Sequence, residues 1–142
     1  MTAEGILIRR CRLEDAAAVL ELWAQGRSEH ASTTDRLDDV ERLIEDSPAV
    51  LLVAVQGERI VGALIAAWDG WRGNMYRLAV REGSRRQGIG IALTRAGEEY
   101  LRGCGVGRIT ALVAFDDDAA GAFWESAGYP RDQEIGRRVR NL

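Results

Sequence analysis

Two adjacent arginines and a pair of spaced glycines stand where an apolar run gives way to helical spacing: LAVREGSRRQGIGIAL, with Arg85, Arg86, Gly88 and Gly90. Residues of these types at a helix start are suited to binding an anion. Glycine lets backbone N–H groups approach closely, the helix dipole favours negative charge, and arginine adds its own charge. The N–H groups of Gln87, Gly88, Ile89 and Gly90 would then point at a pyrophosphate. Three loop types compete for this stretch. A P-loop needs Lys and Ser/Thr where Ile89 and Gly90 stand, so that loop is ruled out. GIGIAL meets the first two glycines of the dinucleotide fingerprint but has Leu93 at the third, and seven residues separate Val80 from Gly88. Asp116 could still serve as its ribose acid. The third type, R-x-x-G-x-G led by Arg85, fits better; the plainer reading is a tight turn with solvated arginines.

An alternation of strands and helices must position this loop. Ile6–Arg10 reads as a strand. Ala16, Val19, Leu20 and Trp23 repeat at helical spacing, with Glu14 and Asp15 in the first turn where the dipole favours acids. Leu37, Val40 and Ile44 form a second helical stripe that Pro48 ends. Ala49–Val55 is a continuous apolar run, as expected of a strand buried on both faces. Ile60–Trp68 and Met75–Val80 follow across the turns QGER and DGWRGN. Ile89, Leu93, Ala96 and Tyr100 mark the helix after the loop, closed by the glycines of RGCGVG. RITALVA reads as a strand, and Asp116–Tyr129 as an acidic start, a short helix and a glycine cap. The tail RDQEIGRRVRNL has room for one or two edge strands, on which Arg137, Arg138 and Arg140 would be solvated charges that discourage pairing with other molecules. Without repeats or linkers, residues 1–142 read as one α/β domain with a mixed sheet, in the order β-α-α-β-β-β-α-β-α-β.

Composition narrows the function classes. The 142 residues carry a net charge of −3, without the basic footprint of a nucleic-acid binder. The two cysteines, Cys11 and Cys104, are too few for a disulfide framework and fit a reducing cytosol, with a single bridge left open. The N-terminal apolar run is too short for a signal peptide, and no segment reaches the length of a membrane span. A cytoplasmic location is expected.

The glycine loop resembles the acyl-CoA pyrophosphate loop of the GCN5-related N-acetyltransferases: an L-A-V strand end, a short connector, then R-x-x-G-x-G/A. Glu82 stands where the connector often has proline. A second motif of that family, N-x-x-A-x-x-F-Y-x-x-x-G-F/Y, is met as Asp117, Ala120, Phe123, Trp124, Gly128 and Tyr129. The element order is similar too, and WDGWRGNMYRLAV is similar to the YpeA-type bacterial branch. The resemblance implies acetyl-CoA as co-substrate and no metal. It implies that the pantetheine arm lies between two splayed strands on Leu78, Ala79 and Val80, with Asp117, Ala120 and Phe123 nearby. The pyrophosphate would rest on Arg85, Arg86, Gln87, Gly88, Ile89 and Gly90. An amine, from a small molecule or a peptide, would attack the thioester directly, which requires a neutral amine, donors for the oxyanion and a proton for the thiolate. Homodimers are frequent in the family; neither nucleic acid nor membrane is an implied partner.

Several positions depart from the family pattern. Trp124 stands where a tyrosine usually protonates the thiolate; an indole N–H can donate a hydrogen bond but cannot supply a proton near neutral pH. It therefore stabilises the thiolate or shapes the pocket, or it simply packs. By two-residue alternation Asn74, Tyr76, Leu78 and Val80 share one strand face. Tyr76 is the ionisable side chain there and could be the proton donor, with plain packing the competing reading; Asn74 could hold a water. Glu29, His30 and Asp69 are candidates for reading the acceptor, although a loop histidine is more often solvated. Asp116–Asp118 would cap the last helix, and three neighbouring acids at a helix start cannot all point at one metal ion without other ligands. Two other function classes compete with the transferase: an acyl-CoA-binding sensor without turnover, and a small nucleotide-binding domain.

Overall fold

The computed structural model describes residues 5–25, 35–114 and 116–142. The chain divides into two compact units, Met1–Leu112 and Val113–Leu142. In the first unit, β1 (Ile6–Arg10), β2 (Val50–Gln56), β3 (Arg59–Trp68), β4 (Gly73–Val80) and β5 (Ile109–Ala111) form a sheet in that order. The first four are antiparallel neighbours, and β5 is parallel to β4. A largely antiparallel sheet is not the parallel, doubly wound frame that a dinucleotide fingerprint serves, and a 3₁₀ turn at Glu82–Ser84 separates strand from glycines. The nucleotide-binding reading falls on both counts.

Helices cover both faces, as the continuous apolar character of β2 and β3 requires. On one face, Leu51, Val53, Ala63 and Ile65 join Val19, Leu22 and Trp23 of α1 (Ala16–Gln25) and Val40 of α2 (Leu37–Asp46). On the other lies α3 (Ile89–Gly103). Its Gly97 comes so close that an added Cβ would stand 2.7 Å from Met75 Cε and 3.2 Å from Leu64 Cδ2.

The acids expected in the first turn of α1 have a different task. Leu13–Asp15 is a 3₁₀ turn ahead of the helix, and Asp15 is buried. Its carboxylate accepts from Arg9 Nη1 at 2.6 Å, Arg9 Nη2 at 3.2 Å and the Arg12 N–H at 2.8 Å. The Arg9 hydrogen bond first, then the Arg12 N–H, hold Asp15 below the usual carboxylate range despite burial. A carboxyl group depressed in the folded state adds stability above its unfolded pKa and loses it as pH falls through the folded value. The Tm gap between wild type and Asp15→Asn is therefore expected to hold from pH 7 to pH 5 and to close below about pH 4. Thermal melts across that range check it; a gap that widens in acid would refute the assignment.

Cys11 is buried, Cys104 is half-buried, and both are free thiols. Burial pushes the Cys11 thiol up to about 12. Among the described residues no helix is long and apolar enough to cross a membrane.

The second unit contains α4 (Asp118–Ser126). Asp117 is its N-cap, accepting from the Ala120 N–H at 2.9 Å. The tail differs from expectation: residues 130–142 form no strand. Ile135, Val139 and Leu142 are spaced four and three apart, so no period-two stripe exists to anchor a strand face. The last strand of the anticipated order is thus absent, and β5 is three residues long rather than the seven of RITALVA.

Candidate active site

The register of β3 against β4 slips once. Ile65 pairs with Tyr76 and Ala63 with Ala79, so Arg77 and Leu78 together stand opposite Leu64. The extra residue is a β-bulge, and Arg77 takes φ 58° there, in the left-handed region. The bulge resets the alternation of side chains. Asn74, Tyr76 and Ala79 pair with Ala67, Ile65 and Ala63 and face α1 and α2. Val80 pairs with Gly62 on the α3 face. The expectation that Asn74, Tyr76, Leu78 and Val80 share a face is therefore wrong: strict alternation holds only on an unbroken strand.

The bulge also decides which backbone groups are free. Arg81 N–H donates to Val61 O at 2.8 Å. By antiparallel alternation Arg81 and Ala79 face β3, whereas Val80 N–H and the carbonyls of Leu78 and Val80 point to the opposite edge. On that edge β5 pairs only with Gly73–Met75, and Leu112 N–H on Met75 O at 3.2 Å ends the contact. Beyond it β4 has no strand partner among the described residues as far as Val80, whose carbonyl accepts from Arg85 Nε at 3.3 Å.

Past β4 the chain turns through Glu82–Ser84, with Ser84 buried, into the glycine loop. Arg86 (φ 66°) and Gly88 (φ 78°) are both left-handed, the kind of backbone from which anion-binding nests are made. Gly88 is the N-cap of α3, and no side chain caps the helix. The first helical bond is Ala92 N–H to Gly88 O at 3.0 Å, which leaves the N–H groups of Ile89, Gly90 and Ile91 without acceptors in the helix. The Ile89 side chain is core, lying against Gly62, so this residue has only its N–H to offer a ligand. Arg85 and Arg86 are exposed. Arg81, in contrast, turns back on the sheet, with Nη2 on Ile60 O at 3.3 Å.

The remaining candidates sit as follows. Tyr76 is half-buried and packs against the apolar cluster beneath α1. Asp69 organises the β3–β4 turn: its Oδ1 accepts from the N–H groups of Trp71 (2.9 Å) and Arg72 (2.8 Å), and these bonds lower its pKa. Glu29 and His30 lie outside the described residues. In the second unit Trp124 is buried, edge-to-face with Phe123 (centroids 5.5 Å apart) and Tyr129 (5.1 Å). Sequence reasoning missed Arg77, together with Trp23 and Asp35, which bind it. The available signal was a charged residue interrupting the apolar run of MYRLAV.

An open strand edge leading into an uncapped helix start can hold an extended ligand along the edge and its anionic end at the helix. The model of the acetyltransferase (GNAT) family matches residues 16–129. An acetyltransferase of Pectobacterium atrosepticum is 33% identical over 122 residues, covering 86% of each chain. One from Sodalis glossinidius is 30% identical over 135 residues, covering 93% of this chain and 94% of its own. The crystal structure of an aminoglycoside acetyltransferase from an uncultured soil metagenomic sample, in complex with sisomicin, superposes with a TM-score of 0.80. It covers 98% of this chain and 97% of its own at 19% identity, a likeness of fold.

Proposed function

The chain belongs to the GNAT acetyltransferase family, and from that premise we propose that it transfers the acetyl group of acetyl-CoA directly to an amine. The observation that carries the reading is the partnerless edge of β4 running from Leu78 to Val80 into the uncapped start of α3. Co-substrate and site fit each other chemically: an extended arm bearing amides suits the edge, and a pyrophosphate suits the helix start with Arg85 beside it. The family match crosses both units, which supports reading residues 1–142 as one acetyltransferase domain; its two free cysteines suit the reducing cytoplasm, the location we propose.

Acetyl-CoA supplies the carbonyl carbon that the amine nitrogen attacks; the C–N bond forms, the C–S bond breaks, the amine gives up a proton and the thiolate takes one. Leu78 and Val80 hold the pantetheine arm by main-chain bonds. Arg85, Arg86 and the N–H groups of Gln87, Gly88, Ile89 and Gly90 hold the pyrophosphate. The N–H of Leu78 stabilises negative charge as it develops on the thioester oxygen. Tyr76 and Asn74 are the candidates for the proton steps, reached from the α1 and α2 side of β4, the bulge having removed them from the face of Val80. In the second unit α4 carries Ala120, Phe123 and its N-cap Asp117, for which the family resemblance implies a place near the arm, and Trp124, whose indole N–H can donate a hydrogen bond. Glu29, His30 and Asp69 remain the acceptor-reading candidates, Asp69 through Oδ2 because Oδ1 is taken by its turn.

Thermal shift with acetyl-CoA, CoA, NAD and ATP is the direct test. Both CoA forms are expected to raise Tm by mass action, and NAD is not. Arg85→Ala removes a charge-assisted contact and is expected to weaken acetyl-CoA about ten- to a hundredfold. Thiol release is then followed with a panel of amines. Aminoglycosides come first, because the structural neighbour was solved with sisomicin; polyamines and peptide amines follow. Stabilisation by CoA without thiol release from any amine would identify a sensor instead.

A further inference from the structure

Arg77 has an unusual combination of properties. It is a non-glycine residue in the strained left-handed region, yet it stands in the middle of a sheet. Three contacts hold it. Its guanidinium forms a two-pronged pair with Asp35, Nη1 to Oδ2 at 3.0 Å and Nη2 to Oδ1. It lies over the Trp23 ring, 5.5 Å from the centroid. The Trp23 indole N–H donates to the Arg77 carbonyl at 3.0 Å.

The third contact bears on chemistry. The carbonyl of Arg77 and the N–H of Leu78 belong to one peptide unit, and in a trans peptide they point in opposite directions. Fixing the carbonyl on Trp23 therefore aims the Leu78 N–H away from α1. In an unbulged strand the same peptide would lie in the plane of the sheet. Trp23 is buried, and Asp35 and Arg77 are half-buried, so the holders are themselves fixed.

We propose that Arg77 is a positioning residue for acetyl transfer, held by Trp23 and Asp35 so that the Arg77–Leu78 peptide keeps its N–H aimed at the thioester oxygen. The inference rests on the acetyl-CoA reading above. It predicts that loosening either holder weakens stabilisation of the reacting carbonyl while the distant pyrophosphate grip persists.

The experiment is isotope-edited infrared spectroscopy of [1-¹³C]acetyl-CoA bound to wild type, Trp23→Phe and Asp35→Ala, with Asp35→Asn in reserve should the alanine variant fail to fold. Trp23→Phe keeps an aromatic ring but removes the N–H. In each variant the carbonyl band is expected to move to higher frequency, while CoA, which lacks the acetyl group, binds within about threefold of wild type. With an amine that turns over, kcat is expected to fall about ten- to a hundredfold with little change in the KM for acetyl-CoA. A purely structural role would lower Tm and leave the band in place. An unmoved band in variants that still bind acetyl-CoA overturns the proposal alone. Failure of wild type to bind acetyl-CoA overturns the function reading, and this inference with it.

Discussion

Gly88→Val is expected to weaken acetyl-CoA binding roughly a hundredfold while leaving the helical circular dichroism intact. Gly88 holds φ 78° at the N-cap of α3, and a β-branched residue in that region is a genuine outlier. Two outcomes are open to the chain, and both are costly. If the backbone stays, it bears about 1–2 kcal/mol of strain and a branched side chain stands among the N–H groups proposed to hold the pyrophosphate. If it relaxes, those N–H groups turn away, and each hydrogen bond to a charged group is worth about 1.5–3 kcal/mol. Gly83→Ala is the control: its φ lies outside the left-handed region, and an added Cβ meets no atom within 4 Å. Titration calorimetry with acetyl-CoA decides it. A Gly88→Val protein that binds like wild type would mean the pyrophosphate lies elsewhere.

The second large effect concerns stability. Leu64→Ala is expected to cost about 3 kcal/mol, as full truncation of a buried leucine does when the surroundings cannot collapse. At this chain length that is roughly a 10 °C fall in Tm. Leu64 is fully buried, stands opposite the bulge at Arg77 and Leu78, and carries the close approach of α3 at Gly97. The cavity would open between helix and sheet, where the backbone of α3 has little freedom to follow. Thermal melts monitored by circular dichroism measure it. A loss below about 1 kcal/mol would place this contact among those that repack readily.

Much of this fold was legible because its signals are local. Pro48 ends a helical stripe two residues after α2 closes at Asp46, and the glycines after Gly103 end α3. The place of the loop at Arg85–Gly90 was legible for the same reason: glycines just ahead of a helical stripe mark a turn into a helix. What escaped was non-local. A bulge is defined by which residue of β3 stands opposite, so MYRLAV alone could not reveal that Arg77 breaks the alternation. Asp15 looked like a helix-dipole acid because its real partner, Arg9, is on another element. The turn-forming role of Asp69 Oδ1 was not legible either, because Asx turns and binding loops draw on the same residues. The tail was overread for the opposite reason: charge and a few apolar residues were present, but not in strand period.

Recognition through main-chain groups has a consequence for descent. The N–H and C=O groups offered by Leu78 and Val80 are common to every amino acid except proline, which lacks the N–H. Drift at these two positions can exchange one side chain for another without altering what the edge presents, provided the strand stays extended. On the proposed reading the grip on the co-substrate is thus insulated from most single-nucleotide change. The side chains around the acceptor have no such shelter. A lineage built on this edge can exchange one amine for another while its acetyl donor stays the same.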